Sequence, residues 1–169
     1  MTLPELAFLA IKEYIMSGEV IDCPEEILKE YPQSHGCFVG IHLLDDSLRG
    51  CIGTILPTKQ FLGDEIIANA IAAATRDNRF EPITNLELDS LKVSVDVLSV
   101  PTIVENLDIL DPKRFGIIVS ADDGRSGVLL PDLPGVDTVE EQIKICRQKG
   151  NIDEDEDIRI QSFESQRYE

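Results

Sequence analysis

The sequence has few basic side chains for its length. Lys and Arg total 15 against 32 Asp and Glu, which gives the chain a formal net charge of −17. A surface this acidic repels phosphate backbones and anionic membranes, so the charge disfavours nucleic-acid or membrane-surface binding. Also lacking is any apolar run near the roughly 20 residues that a membrane helix requires. The apolar run Leu6–Ile11 is short and has no basic leader, which predicts a cytoplasmic rather than a secreted protein.

The familiar motifs for catalysis and cofactor binding are absent too. There is no phosphate-binding loop, dinucleotide fingerprint, nucleophile elbow or zinc-protease motif, so the cofactor is unknown from the sequence. The cysteines form no Cys-x-x-Cys pair and match no zinc or iron–sulfur spacing, which predicts reduced thiols and no metal site; they are Cys23, Cys37, Cys51 and Cys146. The acidic run Asp153–Asp157 lacks the alternating spacing of a calcium loop and predicts a solvated turn.

Hydrophobic periodicity predicts an α+β fold. Helices are expected from the Thr2 cap to Gly18, over Phe61–Thr75, and from Asp137 or Thr138 to about Lys149, with Gly150 as the stop. Strands are expected at Cys37–Leu44, Leu48–Ile55, Leu91–Val100, Phe115–Ser120, Arg125–Leu130 and Asp157–Tyr168. Because hairpins stand beside isolated helices, mixed or antiparallel sheets with helices on one side are favoured over a doubly wound parallel sheet.

The most informative residue is Cys51, which lies in the glycine-flanked segment Leu48–Thr54. Gly50 and Gly53 remove side-chain bulk near the thiol, and glycine inside a strand often marks the close approach of a ligand or another backbone. A nearby guanidinium would favour the nucleophilic thiolate, and Arg49 is the local candidate. The alternative is a small buried core residue, which is the usual state of a free cysteine. No histidine adjacent to the thiol is visible as a base.

Polar side chains elsewhere in the sequence form a second group of candidate site residues. Asn69 falls in a buried-looking helix, where an unpaired amide costs about 1–3 kcal/mol, and Arg76 lies on roughly the same face. This stripe either orients a ligand or forms an internal network. Asp96 lies on the outward face of its strand. It either lines one cleft together with this stripe or is a solvated or salt-bridged carboxylate. A metal site of Cys37, Cys51 and His42 is conceivable in one hairpin register, but a solvent-facing His42 is favoured.

The segment Leu48–Thr54 resembles the signature of the AMMECR domain family, and more closely its bacterial branch called AmmeMemoRadiSam system protein A. The resemblance continues in order through Asn69–Phe80, Ser94–Ser99, Asp111–Gly116, Gly127–Pro131, Gly135–Gln142 and Arg147–Gly150. It therefore covers nearly the whole chain. Asn78 stands where the family usually has proline, and Glu81 precedes Pro82 where the usual pattern is Pro-Pro, so the shape of that loop is in doubt.

The resemblance implies one α+β domain over residues 1–169, built of two intertwined lobes without a clean linker. The larger lobe would hold a mostly antiparallel sheet flanked by helices, and a cleft would separate it from a smaller α+β lobe. The segment Arg49–Gly53 would lie at or near that cleft. The resemblance also implies genomic company with a Memo-like protein and a radical SAM enzyme. The family has no agreed biochemical activity, so the reaction is not implied.

Three functions remain open. In the first, the protein is a cysteine-dependent component of a radical SAM-linked modification pathway, with Cys51 and Arg49 as catalytic residues. The ligand-binding residues would then be Gly50, Gly53, Thr54, Asn69, Arg76 and Asp96. In the second, the cleft binds a small molecule or peptide without catalysis, and the protein is an adaptor for the Memo-like and radical SAM partners. In the third, the glycines only allow close packing of a scaffold.

Overall fold

The computed structural model describes all 169 residues, and the chain divides into two compact units. The first unit consists of residues 1–98 together with residues 166–169, and the second consists of residues 99–165. The last strand of the chain begins in the second unit, and its final residues belong to the first. None of the helices is long and apolar enough to cross a membrane.

The first unit has a three-stranded antiparallel sheet and three helices. Its strands are β1 (Cys37–Leu43), β2 (Leu48–Thr54) and β3 (Leu91–Leu98), and its helices are α1 (Leu3–Ser17), α2 (Glu25–Glu30) and α3 (Leu62–Thr75). Strand β1 is central and pairs antiparallel with both β2 and β3. The predicted hairpin and the two long predicted helices of this part of the chain are therefore confirmed.

Helix α1 begins and ends where its sequence signals predict. The Thr2 hydroxyl accepts a hydrogen bond from the Glu5 N–H (3.3 Å), and the Glu5 carboxylate accepts one from the Thr2 N–H (2.7 Å), which completes a capping box. Gly18 ends the helix in the left-handed conformation, at φ 78°. The apolar stripe of α1 joins that of α3 and the inward side chains of the sheet in one core, which includes Leu6, Ile11, Val39, Ile66 and Val95.

The pairing register gives the sheet of the first unit two chemically different faces. The helix face carries Cys37, Val39 and Ile41 of β1, Gly50, Ile52 and Thr54 of β2, and Val93, Val95 and Val97 of β3. The opposite face, called the polar face below, carries Phe38, Gly40 and His42 of β1, Cys51 and Gly53 of β2, and Lys92, Ser94 and Asp96 of β3. Side chains alternate along a strand, so this division follows directly from the register.

The second unit is also α+β. It contains β4 (Thr102–Ile103), β5 (Phe115–Ala121), β6 (Ser126–Leu129), α4 (Val139–Gly150) and most of β7 (Ile158–Tyr168). Strand β5 pairs antiparallel with β6 and β7, and β4 pairs with β7. Helix α4 packs on β5 and β6, and its Cys146 is fully buried among the apolar side chains of these strands. Cys146 is therefore a core residue of the second unit.

The α+β class with antiparallel sheets is confirmed, and two boundaries need correction. Gly150 lies within α4, and the stop is Asn151, which adopts the left-handed conformation (φ 52°, ψ 46°) and donates its N–H to carbonyls of the last turn. Strand β3 ends at Leu98, two residues earlier than predicted. The two-residue strand β4 was not predicted, because so short a segment has no hydrophobic period. The single intertwined domain and its cleft stay predictions.

Candidate functional site

Cys51 lies on the polar face, directly opposite Gly40 of the central strand. Gly40 in turn lies opposite Ser94 of β3, so the three residues form one row across the sheet. The backbone N–H and C=O of Cys51 point away from β1, toward Asp77 and Arg79. Cys51 and Gly40 are therefore a non-hydrogen-bonded pair, in which opposing Cα atoms are only about 4.5 Å apart.

Gly40 leaves room in the middle of this row for the side chains of its neighbours. A Cβ atom on Gly40 would lie 2.9 Å from the Ser94 Oγ atom and 3.3 Å from Cε1 of the His42 ring. The hydroxyl and the imidazole thus converge above Gly40, and Cys51 lies opposite it on β2. The sequence showed no histidine adjacent to Cys51, but the hairpin register places His42 on the same face of the sheet. We call this space, bounded by Cys51, His42 and Ser94, the Gly40 gap.

Asp77 and Arg79 fix the backbone of Cys51 at the outer edge of β2. The buried Asp77 carboxylate accepts the Cys51 N–H (2.9 Å) and two bonds from the Arg79 guanidinium (2.7 and 2.9 Å). Arg79 Nη2 also lies 3.3 Å from the Cys51 carbonyl oxygen and donates to it. This pair replaces the strand that would otherwise bind β2, so it both positions Cys51 and closes an exposed sheet edge. The guanidinium holds the pKa of Asp77 well below its ordinary value.

The thiol of Cys51 is neutral in this environment. Burial raises the pKa of Cys51 above its ordinary value of 9.0, the guanidinium of Arg79 lowers it, and the carboxylates of Asp96 and Asp77 raise it further. The guanidinium of Arg167 also lowers the pKa of Cys51, but more weakly than that of Arg79. A thiolate favoured by a nearby guanidinium was expected, and burial outweighs that attraction. The thiol is the unreactive form, so chemistry at Cys51 requires its deprotonation.

We expect Cys51 to react slowly with iodoacetamide at pH 7 and to gain reactivity only as the pH rises above about 9, because the thiolate is the nucleophile. Burial raises the pKa of Cys23 to about 11 and that of Cys37 and Cys146 to about 12, so these thiols should react later. Peptide mapping by mass spectrometry across a pH series measures each thiol separately. A Cys51 rate that reaches half its maximum well below pH 8 would contradict the raised pKa.

Arg49 does not approach the thiol. The register shifts between Ile41 and His42, which leaves Arg49 as the extra residue of a β-bulge. Its Nε atom donates to Glu87 (2.8 Å) and its Nη1 atom donates to the Glu81 carbonyl (2.9 Å). Strict alternation placed Arg49 on the face of Cys51, and the bulge directs its side chain to the loop after α3 instead. The guanidinium beside Cys51 is that of Arg79.

The two predicted glycines serve packing instead of opening space around the thiol. A Cβ atom on Gly50 would lie closer than 3.0 Å to the Ala73 carbonyl oxygen, so glycine lets the backbone of α3 approach β2. A Cβ atom on Gly53 would overlap the ring of Phe38, its partner on β1. The close approach of another backbone that glycine in a strand predicted is therefore present, between Gly50 and Ala73. The glycine that opens space beside Cys51 is Gly40.

Thr54 and Asn69 belong to a buried network on the helix face. The Asn69 amide donates to the Cys37 carbonyl (3.1 Å) and to the Thr54 hydroxyl (3.1 Å), which donates to Glu65 (2.6 Å). The Glu65 carboxylate, 1% exposed, also accepts the backbone N–H groups of Thr58 and Lys59, both at 2.7 Å. Of the two interpretations of Asn69, this geometry fits the internal network, on the side of the sheet away from Cys51.

Asp96 is a buried member of the polar face. Arg167 binds it in a bidentate pair, with Nε–Oδ1 at 3.0 Å and Nη2–Oδ2 at 2.9 Å. The salt-bridged alternative therefore describes Asp96 better than the solvated one, and its exposure is only 6%. Arg76, by contrast, caps α3 with its backbone N–H and has an exposed side chain.

The structure brings together no set of three side chains that could bind a metal ion. Cys37 lies on the helix face, whereas Cys51 and His42 lie on the polar face, so the conceivable Cys37–Cys51–His42 site does not form. Sequence reasoning missed Gly40 and Arg167 as members of this region. The pairing of Gly40 with Cys51 was the one available signal, because a hairpin register around Asp45–Ser47 places them opposite each other.

The fold and site define a two-unit α+β protein with a half-buried cysteine on the polar face of an antiparallel sheet. Residues 4–168 match the AMMECR1 family, and the chain belongs to it. It is 49% identical over 164 residues to a protein of Thermotoga maritima, covering 96% of this chain and 94% of that protein. It is 42% identical over 162 residues to Protein CA_C1420 of Clostridium acetobutylicum, covering 94% of this chain and 34% of that longer protein. The crystal structure of the uncharacterized protein PH0010 from Pyrococcus horikoshii superposes with a TM-score of 0.87 at 32% identity, covering 98% of this chain and 88% of that one.

Proposed function

We propose that the polar face of the first unit holds a small polar molecule in the Gly40 gap, and that Cys51 acts on it as a thiol nucleophile. The observation that carries this proposal is the Ser94 hydroxyl, which lies in the same row as Cys51. Ser94 lines a pocket on the polar face, and its hydroxyl makes no hydrogen bond within the protein and faces the space above Gly40. A ligand in that pocket can accept from or donate to this hydroxyl in place of water.

The side chains around the gap have different roles in such a site: some position the thiol, and one accepts its proton. Asp77 and Arg79 fix the backbone of Cys51 from the sheet edge, so the thiol has a defined position. His42 is the one imidazole over the gap and is the candidate acceptor for the thiol proton. Because burial raises the pKa of Cys51, the thiol stays protonated until a base removes its proton, which protects it from unspecific reaction.

The cellular setting follows from the family resemblance and belongs to the same proposal. We place the chain in the AmmeMemoRadiSam branch, as a cytoplasmic component of a radical SAM-linked modification pathway. Its partners would be a Memo-like protein and a radical SAM enzyme. Membership of the AMMECR1 family supports this assignment only at the level of the family. The ligand is then a substrate or an intermediate of that pathway.

Gly40→Ala is expected to keep the fold and to lose the ligand. The new Cβ atom fills the gap but meets only Ser94 Oγ, which can rotate, and the edge of the His42 ring. Wild-type protein isolated from cells with both partner genes should carry a small molecule or a mass increment on the Cys51 peptide. Gly40→Ala and Cys51→Ser should carry neither, as should wild-type protein from cells without the radical SAM gene.

The matched control is Cys23→Ser, which removes a half-buried thiol elsewhere in the first unit. It should behave as wild type in the same mass analysis. The proposal is refuted if Gly40→Ala, shown to be folded by its circular dichroism and melting temperature, carries the same ligand or increment as wild type. It is also refuted if the wild-type protein carries neither a small molecule nor a mass increment on the Cys51 peptide, whether or not the partner genes are present.

One observation favours a second function, that of a binding module without catalysis. The raised pKa of Cys51 and its half-buried position are typical of a structural thiol as well. In that case Cys51→Ser retains the ligand and all partner binding, whereas Gly40→Ala still loses the ligand. The pair of variants therefore separates the two functions in one experiment, because only the catalytic function requires the sulfur atom.

A further inference from the structure

A groove on the second unit lies between helix α4 and the loop that follows it, and we call it the α4 groove. Its volume is about 310 Å³, at the lower end of the range of binding sites. Two aliphatic side chains form its floor, because Ile143 is half-buried and Ile152 is buried. The rim consists of longer polar side chains, which are Glu140, Lys144, Arg147, Gln148 and Glu154. All of these residues belong to the second unit.

Helix α4 forms one wall of this groove. The lining positions of the helix recur at intervals of three and four residues from Glu140 to Gln148, so they share one side of two helical turns. At a rise of 1.5 Å per residue, this wall is about 12 Å long. The opposite wall comes from Ile152 and Glu154, after the end of the helix. The groove is therefore long enough for three or four residues of an extended segment.

The loop that forms the second wall is strongly acidic. Residues 153–157 are five consecutive carboxylates, and within this run only Glu156 has an ion-pair partner, which is Arg125. Arg147 donates to the backbone carbonyls of Asp153 and Glu156, so its guanidinium leaves the carboxylates of the loop unpaired. The unpaired carboxylates are all exposed to solvent, and they are those of Asp153, Glu154, Asp155 and Asp157.

The charge around the α4 groove selects its occupant. Apart from the pair of Arg125 and Glu156, the groove and the loop hold five carboxylates against Lys144 and Arg147, so their charge sums to −3. The second unit as a whole has 15 Asp and Glu against 7 Lys and Arg. A second copy of this chain, a nucleic acid and an anionic membrane all have the same sign of charge and are repelled. A basic segment of another protein has the complementary charge.

We propose that the α4 groove is a docking surface for a basic segment of a partner protein that carries one large aliphatic side chain. The aliphatic side chain packs on Ile143 and Ile152, which removes apolar surface from water on both partners. Lysines or arginines beside it pair with the exposed carboxylates of Glu154 and Asp155, next to the floor in sequence. The charge pairs steer the segment to the groove, and the apolar contact distinguishes it from any other basic segment.

The test uses the full chain and three labelled peptides. The first is fluorescein-Gly-Lys-Lys-Leu-Lys-Lys-Gly-amide, the second has serine in place of leucine, and the third has glutamate in place of each lysine. Fluorescence anisotropy should show the tightest binding for the leucine peptide and a loss of about tenfold for the serine peptide, because serine buries little apolar surface. The glutamate peptide should not bind. Affinity for the leucine peptide should fall as NaCl rises from about 50 mM to about 300 mM, because the charge pairs are exposed.

Two variants locate the binding. Glu154→Lys should weaken the leucine peptide about tenfold, because it replaces an attractive charge at the rim by a repulsive one. Its control is Glu105→Lys, which makes the same change of net charge at an exposed position of the second unit outside the groove and should bind as wild type. In nitrogen-15-labelled protein, the leucine peptide should shift amide signals within residues 140–157.

Equal affinity for the leucine and serine peptides overturns the proposal, because no aliphatic side chain is then recognised. Equal losses in Glu154→Lys and Glu105→Lys overturn it too, since only the overall charge then attracts the peptide. So do amide shifts that occur only in the first unit. A dimer of the free chain in light scattering that Glu154→Lys dissociates assigns the groove to a second copy instead. The Cys51 proposal is tested separately, because it is measured by mass on the Cys51 peptide.

Discussion

Gly50→Ala is expected to lower the free energy of unfolding by about 3 kcal/mol, at the upper end of the usual cost of overpacking. The new Cβ atom would lie closer than 3.0 Å to the Ala73 carbonyl oxygen and 3.3 Å from its carbonyl carbon. Both atoms belong to the backbone of α3, so no side-chain rotation relieves the clash. Helix and strand must separate, which disturbs the core between them. Urea unfolding followed by circular dichroism measures the change.

Gly40→Ala provides the matched control for this prediction, because it makes the same substitution in the strand paired with β2. Its new Cβ atom meets a rotatable hydroxyl at 2.9 Å and a ring edge at 3.3 Å, so we expect a cost below about 1 kcal/mol. The contrast between the two variants matters more than either value. If both variants lose similar stability, the packing roles assigned to Gly50 and Gly40 are wrong.

Glu65→Ala is expected to cost about 4 kcal/mol, a large fraction of the roughly 5–15 kcal/mol of a typical domain. The carboxylate is 1% exposed and accepts the backbone N–H groups of Thr58 and Lys59, and hydroxyl bonds from Thr54 and Thr58. Removing it leaves these donors without their acceptor at the start of α3. The loop that joins β2 to α3 then loses its anchor. Thermal and urea unfolding both report the loss.

Two further substitutions test whether the loss of stability in Glu65→Ala comes from the lost hydrogen bonds of this carboxylate. Glu65→Gln should cost only about 1 kcal/mol, because its carbonyl can accept the two N–H groups while its amide donates to the Thr54 and Thr58 hydroxyls. Asp64→Ala changes the neighbouring carboxylate in the same helical turn, which is more exposed and should cost little. A Glu65→Ala protein as stable as Asp64→Ala would show that water replaces the carboxylate without penalty.

The sequence allowed most elements of the fold to be predicted, because their signals are local. The capping box of Thr2 and Glu5 and the 3.6-residue period define α1 within a single stretch of chain. The turn at Asp45–Ser47 defines the hairpin of β1 and β2 for the same reason. Where the predictions were wrong, a local signal competed with another one nearby. Gly150 predicts the stop of α4, but Asn151 adopts the left-handed conformation one residue later.

The candidate site was predicted less well, because its contacts are not local. A β-bulge changed the direction of Arg49, and no pattern in the sequence marks the bulge. Asp77 binds the backbone of Cys51 across 26 residues, and Arg167 binds Asp96 across 71. Alternation did place Asp96 on the face away from the helices, but it could not show that the carboxylate is buried. Such contacts follow from the order of strands, which periodicity does not give.

The distance in sequence between Asp96 and Arg167 has a consequence for synthesis on the ribosome. The two residues are 71 positions apart, and the stretch between them includes every residue of the second unit. At about 5–20 residues per second, the ribosome takes roughly 4–14 s to translate that stretch. During this interval the nascent first unit contains a carboxylate that still lacks its arginine. The polar face of that unit is therefore completed only after translation has passed the second unit and reached Arg167.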